Sequence, residues 1–201
     1  MFNERLRITA DNENILFIKM ALKNVDFALI SVDYILNTHR INYDIYKDDH
    51  TFYFYYIQNL LAACGNIINV FDNSSNLWRK PNGVVPRERS KILCRLIDLN
   101  LREYPLIFKR AVRNINMHSD EHYDWNCRRL GDYNIIDENT PLDEKDEILN
   151  TPHLRTYDKQ NQIYITVGTN GRRIEFPLNR LRQELNALKY KLENIKLVEG
   201  E

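Results

Sequence analysis

Apolar residues recur every three or four positions along the first third of this chain, as they do in helices that bury one face. A first helix is predicted after Thr9 or Asp11, either of which can cap a helix. Its apolar stripe consists of Ile15, Ile18, Leu22, Val25, Leu29, Val32 and Leu36. A second helix is predicted from an identical rhythm at Tyr53, Ile57, Leu60, Cys64, Ile67 and Phe71.

Two prolines mark the predicted starts of the next two helices, because the fixed φ of proline suits a first helical turn. The third helix runs from Pro86 through Ile97, and the fourth starts at Pro105. The inward positions of the fourth helix are Leu106, Phe108, Ala111, Val112 and Ile115. We call this fourth helix the motif helix, because it also carries an unusually polar stretch.

The pattern changes after Gly131. Residues 131–153 are polar, acidic and aperiodic, which indicates a long surface loop. Three β-like runs follow within a meander over 154–176, and an Asn-Gly pair at Asn170 predicts a hairpin between the last two. A last helix over 177–197 carries another stripe, formed by Leu178, Leu181, Leu185, Leu188, Leu192 and Ile195. The chain is thus predicted to be one all-α domain over 1–201. Its fold would be an antiparallel up-and-down bundle of about five helices, with a small antiparallel meander before the C-terminal helix.

Composition narrows the classes of function. The chain has 201 residues, 28% of them charged, and a formal net charge of zero. Attraction for nucleic acid must therefore come from a local basic patch. Cys64, Cys94 and Cys127 are scattered, as expected for buried thiols in a reducing compartment. The N-terminus lacks a secretory signal, and four charges interrupt the apolar segment Ile15–Leu36, so we expect a cytoplasmic protein without a membrane span.

The polar stretch RNINMHSDEHYD, Arg113–Asp124, has two interpretations that do not depend on a family resemblance of the whole chain. His118, Glu121 and His122 match the H-x-x-E-H pattern of a zinc hydrolase, with Glu121 as general base. That chemistry also needs a third protein ligand, and no second acidic helix is clearly dedicated to supplying it. The zinc proteases that carry this pattern are built on much larger chains with a mixed α/β fold. Alternatively, both histidines continue the apolar stripe of the motif helix and serve as residues at the edge of a bundle. We expect no metal and no cofactor.

A third interpretation comes from a family resemblance. Arg113-Asn114 followed by His118 resembles the HEPN superfamily, whose mark is an arginine and a polar residue followed shortly by a histidine. The family's fold is an up-and-down helical bundle with this motif on a late helix, which agrees with the helix order predicted here. The resemblance rests on about a dozen residues and on helix order over most of the chain.

The resemblance implies a metal-independent endoribonuclease that uses the RNA 2′-hydroxyl to form a 2′,3′-cyclic phosphate. His118 would transfer protons, and Arg113 would stabilise charge on the phosphoryl oxygens. Asn114 would orient the ring or bind phosphate, and Glu121 would support the histidine. The expected substrate is single-stranded RNA. The expected phosphate contacts are Lys109, Arg110, Arg128 and Arg129. Further basic residues lie on the preceding helix, at Arg87, Arg89 and Lys91.

The resemblance also bears on partners. Positions 113 and 118 lie about 140° apart around a regular helix, so a site completed by a second subunit is easier to build. We therefore expect a homodimer with the fourth helices at its interface. A toxin, stress or anti-phage setting with an antitoxin or defence-system partner is implied as well. However, Asp120 stands where such toxins often carry a tyrosine, and Tyr123 comes later. A non-catalytic HEPN-like module that binds RNA or nucleotides, or serves in assembly, is the alternative.

Overall fold

Helices make up most of the described chain. The structure is a computed structural model that describes residues 7–10, 12–37, 49–73, 86–111, 155–167 and 173–199. Its four α-helices within these ranges are α1 (Asn12–Leu36), α2 (Asp49–Phe71), α3 (Pro86–Leu96) and α4 (Leu178–Glu193). A small three-stranded antiparallel sheet precedes α4. The predicted mostly helical fold with such a sheet before the last helix is confirmed.

Helix α1 packs against α2 in the antiparallel direction. The Asn66 side-chain amide donates to Asn24 Oδ1 at 3.0 Å, and the rings of Tyr34 and Tyr56 stack with centroids 4.9 Å apart. Residue numbers therefore rise along α1 as they fall along α2. The same holds for α4, which reaches α1 through two ion pairs, Lys189 with Asp26 and Arg182 with Asp33, each at 2.7 Å.

The buried line of α1 is displaced slightly from the predicted stripe. Val25 and Val32 are fully buried as expected, but Leu22, Leu29 and Leu36 are only partly buried. The positions beside them, Ala21, Ala28 and Ile35, are the ones that face the core. Small alanine side chains let neighbouring helices approach closely, which explains the displacement. On α4, the predicted leucines from Leu178 to Leu192 are all buried.

The three-stranded sheet covers the start of α2. Its strands are β2 (Arg155–Asp158), β3 (Ile163–Val167) and β4 (Arg173–Pro177), in the order β2-β3-β4. The buried ring of Tyr157 lies 4.9 Å from that of Tyr53, which fixes the sheet on the helix. Asp158 stabilises the turn after β2, because its carboxylate accepts the backbone and side-chain N–H groups of Asn161.

A second, two-stranded sheet is absent from the sequence prediction. Strand β1 (Arg7–Ala10) pairs in parallel with β5 (Lys196–Glu199). The prediction that the last helix continues to residue 197 is therefore wrong. Asn194 ends the helix because both its backbone N–H and its side-chain amide donate to Tyr190 O. Pairing with β1 then satisfies backbone groups that a longer helix would have bonded internally.

The predicted start of the motif helix at Pro105 is also wrong. A short 3-10 helix occupies Leu101–Glu103, and a turn follows over 105–108. The backbone N–H groups of Leu106 and Ile107 donate to the carboxylate of Glu184, so they are bonded to α4. Helical conformation begins at Arg110. The predicted remainder of the motif helix and the predicted loop 131–153 lie outside the described residues.

Candidate functional site

The polar motif of the sequence lies outside the part of the chain that the structure describes. Arg113, Asn114, His118, Glu121, Arg128 and Arg129 all lie outside the described residues, as does His122. Lys109 and Arg110 are described, and they lead directly into the motif. The candidate site is therefore built from the surface beside these two residues.

A cleft of about 580 Å³ opens where the end of α2 meets α3 and the segment before the 3-10 helix. Its lining combines an apolar base with polar and basic groups. The lining residues are Phe71, Asp72, Asn73, Ser90, Lys91, Cys94, Arg95, Leu99, Asn100, Leu101 and Arg102. The cleft is large enough for a nucleotide-sized ligand.

Side chains of α3 satisfy carbonyl groups at the end of α2, which would otherwise have no helical partner. Ser90 Oγ donates to Val70 O at 2.9 Å and accepts the N–H of Asn73 at 3.2 Å. The Cys94 thiol donates to Phe71 O at 3.3 Å. These bonds hold α3 against the end of α2, where the two helices line the cleft.

Arg110 bonds the residue that follows α2. Its Nε donates to Asp72 Oδ2 at 2.8 Å, its Nη2 lies 2.7 Å from Asp72 Oδ1, and the same nitrogen donates to Asp72 O at 2.6 Å. A guanidinium is well placed there, because the C-terminal end of a helix carries partial negative charge. The Arg110 group expected to contact phosphate is therefore already bonded to a carboxylate. Lys109 Nζ likewise donates to a backbone oxygen, Glu175 O, at 3.0 Å.

Three other basic side chains line the cleft. Lys91 and Arg95 are one turn apart on α3, and Arg102 faces them from the 3-10 helix. Within the described ranges, none of the three forms an ion pair. The side-chain amides of Asn73 and Asn100 add neutral polar groups to the same lining. Two guanidinium groups and an ammonium around one cleft suit phosphate oxygens.

The cleft residues are suited to binding and not to proton transfer. Burial, followed by the nearby charge of Asp72, raises the pKa of the Cys94 thiol to about 11. The thiol is therefore protonated at neutral pH and acts as a hydrogen-bond donor. No histidine is among the lining residues. Proton transfer at neutral pH would have to come from elsewhere in the chain.

The segment between the cleft and Ala111 is tied to α4 by a buried carboxylate. Glu184 Oε2 accepts the N–H groups of Leu106 at 2.9 Å and Ile107 at 3.1 Å. Among the described residues, its Oε1 accepts no hydrogen bond, and Arg180 Nε lies 3.9 Å from it. Burial raises the pKa of Glu184, while the two amides and Arg180 act in the opposite direction.

Sequence reasoning found only part of this site. It named Lys91 among basic residues of α3, and it missed Arg95 and Arg102. Spacing from Lys91 to Arg95 was an available signal, because residues four apart share a helical face. Nothing local in the sequence indicates that Arg102 faces them. Arg89, also counted as basic surface, instead lies over the Phe17 ring at 3.8 Å from its centroid.

Neither the described residues nor the comparisons with known proteins assign a metal site, a membrane span or a family to this chain. Among the described residues, no group of three or more His, Cys, Asp or Glu side chains is placed to hold a metal ion. Of the helices that the structure describes, none is long and apolar enough to cross a membrane. The chain matches no known family model, no curated protein and no solved structure.

Proposed function

We propose that this chain binds single-stranded RNA and cleaves it as a metal-independent endoribonuclease of the HEPN type. The finer architecture that belongs to this proposal is an up-and-down bundle of about five helices, with the motif helix following Arg110. The observation that supports RNA binding is the cleft lined by Lys91, Arg95 and Arg102 beside that segment.

The cleft would supply the electrostatic part of binding. Phosphate contacts dominate the affinity of proteins for nucleic acid, and they need cations that are not already paired. Lys91, Arg95 and Arg102 meet that condition among the described residues, whereas Arg110 does not. Arg110 instead bonds Asp72 of the cleft lining, and it stands three residues before Arg113 in the sequence.

The motif would supply the reaction. In this proposal His118 removes the proton of the ribose 2′-hydroxyl, and the 2′-oxygen attacks the adjacent phosphorus. The bond to the 5′-oxygen of the next nucleotide breaks, and the proton taken up by His118 returns to that oxygen directly or through water, which leaves a 2′,3′-cyclic phosphate and a 5′-hydroxyl. Arg113 neutralises the charge on the phosphoryl oxygens, and Asn114 and Glu121 orient the histidine.

A binding module without turnover is the second candidate. It is favoured by the cleft itself, which offers basic and amide groups but no side chain suited to proton transfer at neutral pH. In that case Lys91, Arg95 and Arg102 would hold RNA or a nucleotide, and the motif would have no catalytic role.

The test uses the purified full-length chain and a labelled single-stranded RNA in EDTA. We expect cleavage products with 2′,3′-cyclic phosphate ends, and no products from His118→Ala. His153→Ala, at a histidine to which we assign no role, serves as the matched control and should cut like the wild type. Equal cleavage by His118→Ala would contradict the catalytic proposal. RNA binding without any cleavage would select the second candidate, and absence of both would refute the two together.

A further inference from the structure

Helix α1 carries a second apolar stripe on its outer face. The positions are Leu16, Met20, Lys23, Phe27, Ile30 and Tyr34, which we call the outer stripe. Their spacing alternates between four and three residues, as in the seam of a coiled coil. Only Lys23 is charged, and its ammonium lies 5.7 Å from the centroid of the Phe27 ring.

The outer stripe is exposed. Its five apolar side chains retain between 45% and 56% of their accessible surface. The aromatic surface continues onto α2, where Tyr56 stacks on Tyr34 and the exposed Tyr55 packs edge-on against Tyr56. Single exposed apolar residues are ordinary, but a continuous row along five helical turns marks an interaction surface.

We propose that the outer stripe binds a second copy of this chain. The two α1 helices pack antiparallel across a two-fold axis that crosses the outer face of α1 at the level of Val25. In that register Leu16 meets the partner's Tyr34, Met20 meets the partner's Ile30, and Lys23 meets the partner's Phe27. Each layer then joins two different side chains, and each contact occurs twice, as a two-fold interface requires.

Lys23 decides the orientation. A parallel pair would place Lys23 directly opposite the partner's Lys23, which brings two ammonium groups together at the centre of an apolar seam. An antiparallel pair places it against the partner's Phe27, where the aliphatic stem and the ammonium can both contact the ring. The contact of Lys23 with Phe27 within the chain shows that this side chain already favours an aromatic face.

The flanking charges fit the same orientation. Lys19 lies beside Met20 at one end of the outer stripe, and Asp33 lies beside Tyr34 at the other. Antiparallel packing brings Lys19 of each chain towards the partner's Asp33, a carboxylate that also pairs with Arg182 of its own chain at 2.7 Å. Asp26 would lie near the axis, but its charge is compensated because Lys189 contacts it at 2.7 Å.

The available area is suited to a homodimer of modest affinity. The outer stripe and Tyr55 present roughly 600 Å² of apolar surface. This estimate counts about half of the full surface of each side chain, because about half of each is exposed. A standard interface buries about 800 Å² per partner, which the flanking polar side chains can complete. This face differs from the motif helix, on which the family resemblance placed the dimer, and the proposal does not depend on RNA binding.

The first test is the mass of the full-length chain in solution, measured by sedimentation at about 50 μM, a concentration chosen for a weak interface. We expect a dimer for the wild type and a monomer for Ile30→Lys. Ile92→Lys is the matched control, because Ile92 is an exposed isoleucine on a different helix, α3. A monomeric wild type overturns the proposal, and so does an Ile30→Lys variant that remains dimeric.

A second variant is expected to strengthen the dimer, so the test does not depend only on a variant that could lose dimerisation by misfolding. Lys23→Leu places an apolar side chain against the partner's Phe27, and we expect the dimer Kd to fall roughly tenfold or more.

The orientation is tested by oxidation of cysteine variants. Met20→Cys combined with Ile30→Cys should cross-link between chains, whereas each single variant should not. Cross-linking of the single variants would indicate a parallel pair and contradict the proposed orientation.

Discussion

Charged side chains surround the segment 99–111 in two groups that behave differently. In the first group each charge has a partner: Glu184 accepts two backbone N–H groups, and Arg110 bonds both the carboxylate and the carbonyl of Asp72. In the second group, Lys91, Arg95 and Arg102 face the cleft without an ion pair among the described residues. The first group positions the backbone, and the second is available to a ligand.

The difference has a simple physical basis. A buried or half-buried charge is tolerated only when hydrogen bonds replace its water, so such a charge restricts where its neighbours lie. An exposed cation keeps its water and contributes little to folding until a phosphate displaces that water. Variants of the first group should therefore change stability, whereas variants of the second should change affinity.

The largest loss of stability is expected for Glu184→Ala. The change leaves the N–H groups of Leu106 and Ile107 buried without an acceptor, at a cost of about 3 kcal/mol of unfolding free energy. Urea unfolding measures this loss. Gln183→Ala, at the exposed neighbouring position, is the control and should differ from the wild type by less than about 0.5 kcal/mol. Similar losses from the two variants would mean that Glu184 does not anchor the segment.

Glu184 should also make stability depend on pH. Burial raises its folded pKa above the ordinary value of 4.5, so the folded state holds the proton more tightly than the unfolded state. Its contribution is complete below pH 4.5 and is lost as the pH rises through the folded pKa. The unfolding free energy of the wild type, relative to Glu184→Gln, should fall over that window. A difference that stays constant or grows with pH would contradict the raised pKa.

A smaller loss is expected for Arg110→Gln. The variant removes the ion pair with Asp72 and weakens the bond to Asp72 O, and partial exposure limits the cost to about 1–2 kcal/mol. Arg182→Gln is the comparison, because Arg182 has a similar carboxylate partner at the surface but bonds no helix end. We expect about 0.5 kcal/mol there. Equal losses in thermal or urea unfolding would remove the distinction between an anchoring pair and a surface pair.

The smallest effect on stability is expected from the cleft. Lys91, Arg95 and Arg102 changed together to alanine should alter the unfolding free energy by less than about 1 kcal/mol, since exposed substitutions away from bonded groups cost little. A larger loss in the same unfolding assay would mean that these side chains stabilise the fold, as Glu184 and Arg110 do.

Periodicity predicted α1, α2 and α3 well because their buried faces repeat with the helical period. Periodicity failed for two elements whose conformation depends on a partner far away in the sequence. Strand β5 replaces the end of the predicted last helix because β1 pairs with it from the other end of the chain. The turn after Pro105 replaces a predicted helical start because Glu184 binds its amides. Neither partner can be identified from the local sequence.

For the candidate site, the sequence predicted the kind of side chain involved but not which of these side chains are paired in space. Sequence reasoning indicated that basic residues before the motif attract phosphate, but it could not tell paired cations from unpaired ones. Arg110 bonds Asp72 across 38 positions of sequence, whereas Arg102 reaches the cleft through a 3-10 helix that the apolar pattern does not indicate. The Arg113 and His118 pair stays a prediction from the sequence.

The most direct measurement of the central claim is the salt dependence of RNA binding. Under the proposed mechanism a His118→Ala background should not cleave RNA, so it serves as the reference. A variant of that background with Lys91, Arg95 and Arg102 also changed to alanine is compared with it on a single-stranded RNA. We expect the triple variant to bind more weakly, with a slope of log K against log salt that is smaller by about 2, since each lost phosphate contact removes about 0.7. An unchanged affinity and slope would contradict the claim that the cleft holds RNA.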